Sequence, residues 1–353
     1  PIMKEMGFSL AETTWTFSLA ILFLGFSAGF LGSFVEKIGP KKSGLIAMAF
    51  FGTGMLGTAY AIAAQSLTLL YLFYGVIGGI GLGVGYITPV STLVKYFPDH
   101  RGFATGLAIM GFGFAALIAG PVMQYLTATV GLVNNFLILG CVYMLIMGAS
   151  SLYLKPPVLK DSTGKATHIQ QGVTANEALK TWQFASLWWI FFVNITCGIG
   201  LLAVASPMAQ ETIGMDAAAA ASMVGIIGVF NGGGRIVIGF GDDKDIEQFR
   251  EAFVFELLVL LIISCYGGGF SCMPAYLSDI FGTRQLSAIH GRILTAWGLA
   301  GVAGPSIVSY FHAQTGGYTA SLYFFAACFV LNFIIAAVLK QYGQRKKETR
   351  TAL

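Results

Sequence analysis

From Ser43 to Val94 the chain carries no charged residue over 52 positions. A bilayer-spanning helix needs about 20 apolar residues. That run therefore holds two spans, broken near Gln65-Ser66. Other runs have the same character. Residues 13–35 and 181–210 make one span each, and residues 102–154 make a pair broken near Thr127–Gly131. Residues 217–241 make one, with Arg235 inside it, and residues 252–278 make one, with Glu256 near its start. Residues 293–339 make two, broken near His312–Thr319. The count is ten spans. Only 10% of the 353 residues are charged, against about a quarter in soluble domains. In lipid every backbone polar group must be satisfied internally, so the fold class is an all-α, polytopic membrane bundle. The 46 glycines suit close helix–helix approach.

Between the apolar blocks lies a polar segment, residues 155–182, with Pro156-Pro157 and Asp161-Ser162-Thr163-Gly164. It reads as a linker, helical at most after Thr174. It divides a membrane half at 1–154 from a second at 183–340, and a basic tail at 341–353 follows. The net charge of +4 sits in loops and tail. It reads as topology rather than nucleic-acid binding. Lys37/Lys41/Lys42, Lys95/Arg101, the linker and Lys244/Arg250 fall on alternate loops, the positive-inside pattern. Beyond Arg250 the parity breaks, and Arg284, Arg292 and the tail would fall outside.

The halves repeat. Gly32-Ser33-Phe34-Val35-Glu36-Lys37 matches Gly239-Phe240-Gly241-Asp242-Asp243-Lys244, Tyr86 through Pro89 matches Phe270 through Pro274, and Gly120-Pro121 matches Gly304-Pro305. Phe97 to Pro121 and Phe281 to Pro305 are both 24 positions. Lys37 to Pro89 is 52 and Lys244 to Pro274 is 30, so the second half is short by 22 residues, about one span. One more span there restores the charge parity. The first half has one span before its Gly-x-x-x-acid-Lys motif and the second has two. The expectation is a twelve-span parent lacking spans one and nine. The chain opens on Pro1 without an initiator methionine and is read as lacking its true N-terminus.

Gly32 to Lys42, with two six-span halves and a linker, resembles the major facilitator superfamily. Tyr96-Phe97-Pro98-Asp99-His100-Arg101-Gly102, Asn231-Gly232-Gly233-Gly234-Arg235, Tyr266-Gly267-Gly268-Gly269-Phe270, Pro274-Ala275-Tyr276 and Asp279-Ile280-Phe281-Gly282-Thr283 resemble its oxalate:formate antiporter family, which is monocarboxylate-transporter-like. The resemblance implies a secondary transporter of small organic anions working by alternating access. It implies that Arg235 binds the substrate carboxylate. It implies that Tyr86, Tyr266 and Phe270 line the cavity, and that Phe112 stands where oxalate carriers have Tyr. Those carriers also use a lysine in span eleven, where this chain has Trp297. One cation suits a monoanion, so formate, pyruvate, lactate or a similar monocarboxylate is expected ahead of oxalate. Antiport or facilitated exchange is expected, with proton symport or a truncated, non-transporting product as alternatives. Glu36, Lys37, Asp99, Arg101, Asp243 and Lys244 fall in loops that act as gates in the superfamily, as do Asp279/Arg284. Plain surface charge is the competing reading.

Physical chemistry supports the arginine independently. Arginine stays ionised in proteins, and at a bilayer centre it costs roughly 2.5–3.5 kcal/mol. A carboxylate repays this bidentately. Snorkelling to the membrane surface is the structural alternative. The five cysteines (Cys141, Cys197, Cys265, Cys272, Cys328) form no CxxC and read as buried small hydrophobes. Trp15 and Trp188/Trp189 read as interface residues, although Trp15 could turn inward. Glu256, His290 and His312 are the titratable groups near spans, and Glu256 as a proton relay is the minor reading. A phosphate-loop reading of Gly79-Ile80-Gly81-Leu82-Gly83 fails at mid-membrane depth. Gly120-Pro121 and Gly304-Pro305 are expected to kink or end their spans. No His-Glu-x-x-His pairing is present, so an enzyme is not expected and no cofactor or metal is implied. The expected partners are a small carboxylate and the lipid bilayer, with no nucleic acid. A monomer in the bacterial cytoplasmic membrane is the expected state.

Overall fold

The structure is a computed structural model that describes residues 5–8, 10–98, 100–156, 159–160, 166–167, 172–215, 223, 226–227 and 250–351. Among these residues nine long helices form: α1 (Leu10–Ile38), α2 (Pro40–Ala63), α3 (Leu67–Tyr96), α4 (Arg101–Val130), α5 (Leu132–Tyr153), α7 (Trp182–Ile213), α8 (Arg250–Phe281), α9 (Leu286–Thr315) and α10 (Thr319–Thr351). A short α6 (Ala175–Leu179) precedes α7. Two-residue strands β1 (Leu159–Lys160) and β2 (Ala166–Thr167) pair antiparallel in the polar segment. Seven stretches among the described residues are long and apolar enough to cross a membrane. Each apolar run of the sequence outside 217–241 carries its helix or pair of helices, and 217–241 lies almost wholly outside the described residues.

The breaks fall where the local chemistry allows them. Gly131 adopts φ 83° between α4 and α5, and Gly316 adopts φ 69° after α9. Both are left-handed conformations that favour glycine. Pro40 opens α2 at the position where its missing N–H is harmless. The Ser66 hydroxyl caps α3 by accepting from Leu69 N, and Thr181 caps α7 by accepting from Phe184 N. At α6, Thr174 and Glu177 form a capping box. The Thr174 backbone N–H donated to Glu177, first of all, holds that carboxyl below its ordinary range. Gly120-Pro121 and Gly304-Pro305 do not end their spans, since α4 and α9 run through them. Pro89 and Pro274 likewise lie inside α3 and α8. Thr88, Ser91 and Thr92 donate their hydroxyls back to carbonyls of their own helix, at Val84, Ile87 and Thr88. Residues Tyr71–Gly78 of α3 are π-helical, a widened turn of the kind that recurs near functional sites.

α1 and α9 run side by side at the centre and join the two halves. Backbone meets backbone there. A Cβ on Gly25 would lie 2.5 Å from the Leu294 carbonyl oxygen, and one on Gly32 would lie 2.6 Å from the Ser287 carbonyl oxygen. α3 packs against α1 and also touches α9, α7 packs against α9, α2 against α5, and α8 against α4. The largest core cluster runs through α1, α3, α7, α8 and α9.

Two expectations need correction. Cys141 and Cys272 are exposed rather than buried. The outside of a membrane bundle meets acyl chains, so an apolar thiol has no reason to hide there. Trp15 is 50% exposed and Trp189 37% exposed, as expected of interface residues. Trp188 instead turns inward, stacking on Phe192 and donating its ring N–H to Thr295 Oγ1 at 2.9 Å.

Candidate functional site

Two constellations lie along the central seam. The first is aromatic. Tyr86 from α3, Trp297 from α9, and Tyr266 and Phe270 from α8 are all buried. Tyr86 and Trp297 meet edge-on at 5.3 Å between ring centroids, Trp297 and Phe270 at 4.8 Å, and Phe270 and Tyr266 at 5.4 Å. Phe191 from α7 adds a fifth ring at 5.0 Å from Phe270. The chain of rings therefore runs from the first half into the second. In edge-to-face pairs the positive edge of one ring meets the negative face of the next, which ties these rings into one continuous wall.

The structure brings together four of the six residues named as substrate contacts. Arg235 lies outside the described residues. Phe112 stands in α4, on the described backbone, but its side chain is not among those described. The same holds for Glu256 and Cys265 in α8.

The second constellation closes the end that carries the basic loops. Lys95 at the end of α3 donates to Glu36 at the end of α1. The pair is well covered, with side chains 11% and 16% exposed. Glu36 also accepts from the Ser287 backbone N–H, at 3.1 Å, at the start of α9. Ser287 donates its hydroxyl to Ser91 at 2.8 Å. A second tie joins α4 to α8, where Arg101 Nη1 donates to Asp279 Oδ1 at 2.8 Å and to Ser278 Oγ at 3.0 Å. The polar segment joins in. Val173 N–H donates to the Phe281 carbonyl, Ala175 N–H to Gln285 Oε1, and Arg292 to Asn176. A cleft of about 110 Å³ opens beside Glu36 and Lys95, reaching Thr88, Ser91 and Pro156.

Two of the acids named from sequence as gate residues take their partners from other helices. Glu36 takes Lys95 and not its neighbour Lys37, which is exposed. Adjacent residues on a helix do not face one another. Asp279 takes Arg101 and not Arg284, which is exposed. Asp99, Asp243 and Lys244 lie outside the described residues. Lys95, Ser91 and Ser287 were not named as site residues, because contacts 59 and 196 positions apart leave no local signal.

One nucleophile-type spacing does occur, at Gly25-Phe26-Ser27-Ala28-Gly29. A Gly-x-Ser-x-Gly nucleophile needs a strained strand-to-helix turn. Here it lies inside α1, with the Ser27 hydroxyl donating to the Leu24 and Ile80 carbonyls. Its glycines serve helix contact. No cluster of metal-ligating side chains occurs among the described residues.

A bundle of long apolar helices, with a buried site shared by two halves and polar ties at one end, is the architecture of a multi-pass membrane transporter. The model of the Major Facilitator Superfamily matches residues 1–267, and the chain belongs to that family. Among curated relatives, the oxalate:formate antiporter of Oxalobacter formigenes is 26% identical, over 99% of this chain and 87% of its own. An uncharacterised major-facilitator-type transporter of Escherichia coli is 25% identical, over 83% of this chain and 77% of its own. Among solved structures, the transporter FucP in its outward conformation superposes with a TM-score of 0.66 at 14% identity, covering 96% of this chain and 93% of that one.

Proposed function

We propose that this protein is a secondary carrier of small monocarboxylates such as formate, pyruvate or lactate, working by exchange or facilitated transport in the bacterial cytoplasmic membrane. The observation that carries the proposal is the ring chain Tyr86–Trp297–Phe270–Tyr266, built from both halves around their shared seam. Rocking the halves against each other would expose such a site to each side in turn. Arg235 supplies the charge that holds the carboxylate. Trp297 adds bulk and no second cation, which favours a monoanion over oxalate. Similarity to an oxalate:formate antiporter supports the substrate class. The chain performs no covalent chemistry on its cargo.

The test is competition. In proteoliposomes holding the purified protein, uptake of labelled formate is challenged with unlabelled pyruvate, lactate and oxalate. Monocarboxylates are expected to compete best. Preferential inhibition by oxalate would refute the role given to Trp297.

In this reading Glu36, Lys95 and Ser287 form the cytoplasmic gate. Glu36→Gln removes the charge from both hydrogen bonds. Hydrogen bonds to charged groups contribute about 1.5–3 kcal/mol each, so opening should become roughly tenfold or more easier. The measurement is maleimide labelling of a Ser91→Cys reporter, compared with and without Glu36→Gln. Equal labelling rates would remove Glu36 from the gate.

A further inference from the structure

His290 sits one turn inside α9 and is fully buried, at 0% exposure. Neither ring nitrogen has a hydrogen-bond partner among the described residues. Buried polar side chains nearly always find a partner, and an orphan calls for a missing ligand, ion or water. A packing residue at this place would serve better as phenylalanine. The position is also particular. The His290 ring lies 5.9 Å from the Tyr86 ring, which itself lies 5.3 Å from Trp297. His290 and Trp297 are seven residues apart, so they share one face of α9 about 10 Å apart along it. Ser287, a turn the other way, touches Ser91 and the Glu36–Lys95 pair. The α3/α9 seam thus passes from aromatic rings to an imidazole, then to two hydroxyls, then to an ion pair.

We propose that His290 is a second contact for the transported carboxylate, occupied as the anion passes from the ring cluster toward the gate. A ring N–H donates to a carboxylate oxygen, while the edge of Tyr86 flanks it. This makes the route along the seam a two-station path, with the aromatic cluster above and the imidazole below. The gate lies immediately beyond the second station, so release and opening are adjacent events. The inference rests on the carboxylate-carrier reading.

The test uses the full chain in proteoliposomes with labelled formate, pyruvate, lactate and oxalate. His290→Phe keeps the ring and removes the donors. His290→Gln keeps N–H donor capacity through its amide NH2. For the best-transported anion, His290→Phe is expected to raise KM about tenfold, as loss of a charge-assisted hydrogen bond does, while His290→Gln stays within about threefold. Wild-type KM in His290→Phe would overturn the inference. If His290→Phe does not reach the membrane, diethyl pyrocarbonate acylation of His290 in the wild-type protein decides, read by mass spectrometry. Saturating carboxylate should slow acylation of His290 severalfold, and an unchanged rate would overturn the inference. No uptake of any of the four anions by the wild-type chain would instead refute the carrier function itself.

Discussion

Arg235→Gln is expected to abolish uptake of formate, pyruvate and lactate by the reconstituted protein while expression persists. The argument is one of charge. A guanidinium in an apolar run of sequence needs a counter-charge, and a carboxylate held bidentately by it would supply one. Removing one partner of a buried pair costs about 3–5 kcal/mol, more than a hundredfold in affinity. Glutamine is smaller and neutral, so the empty carrier should tolerate it and unfold no sooner on heating. Arg235→Lys should keep the charge but lose the bidentate geometry, and so retain a fraction of the uptake. Uptake by Arg235→Gln at the wild-type rate would remove the arginine from the site.

Gly25→Val is expected to have a large structural effect. Its Cβ would meet the Leu294 carbonyl oxygen at 2.5 Å and the Gly298 nitrogen at 2.7 Å. Both are backbone atoms, so no flexible side chain can yield. α1 and α9 would have to separate where the halves join. Overpacking a tight core costs about 1–3 kcal/mol and occasionally more. The thermal midpoint in detergent should fall clearly, and uptake should be lost with it. Gly111→Ala is the control. Among the described residues nothing lies within 4 Å of a Cβ at Gly111 in α4, and alanine is the better helix former. If both variants melt together with wild type, the close seam is not a stability element.

The spans among the described residues were legible because lipid removes the ambiguity. A charge-free run must be helical, and its turns show as Gln65-Ser66, Gly131 and Gly316. The ring cluster was legible only through the family resemblance. Nothing in the spacing of Tyr86 and Trp297 says that α3 and α9 touch. The ion-pair partners were not legible for a related reason. Glu36 and Lys95 are 59 positions apart, and only the fold presents Glu36 at the end of α1 to the end of α3. His290 left a faint trace, a polar residue seven positions before Trp297 on one helical face. Without knowing that this face meets Tyr86, a lone histidine reads as packing.

The hydroxyls of α3 bear on how fast the protein can cycle. Thr88, Ser91 and Thr92 each already donate to a carbonyl of their own helix. Were α3 and α9 to part, those hydroxyls would strand no donor. At the Ser91–Ser287 contact, only Ser287 must find a new acceptor, and entering water supplies one. The contact between α3 and α9 is therefore one that could open without leaving a hydroxyl donor stranded.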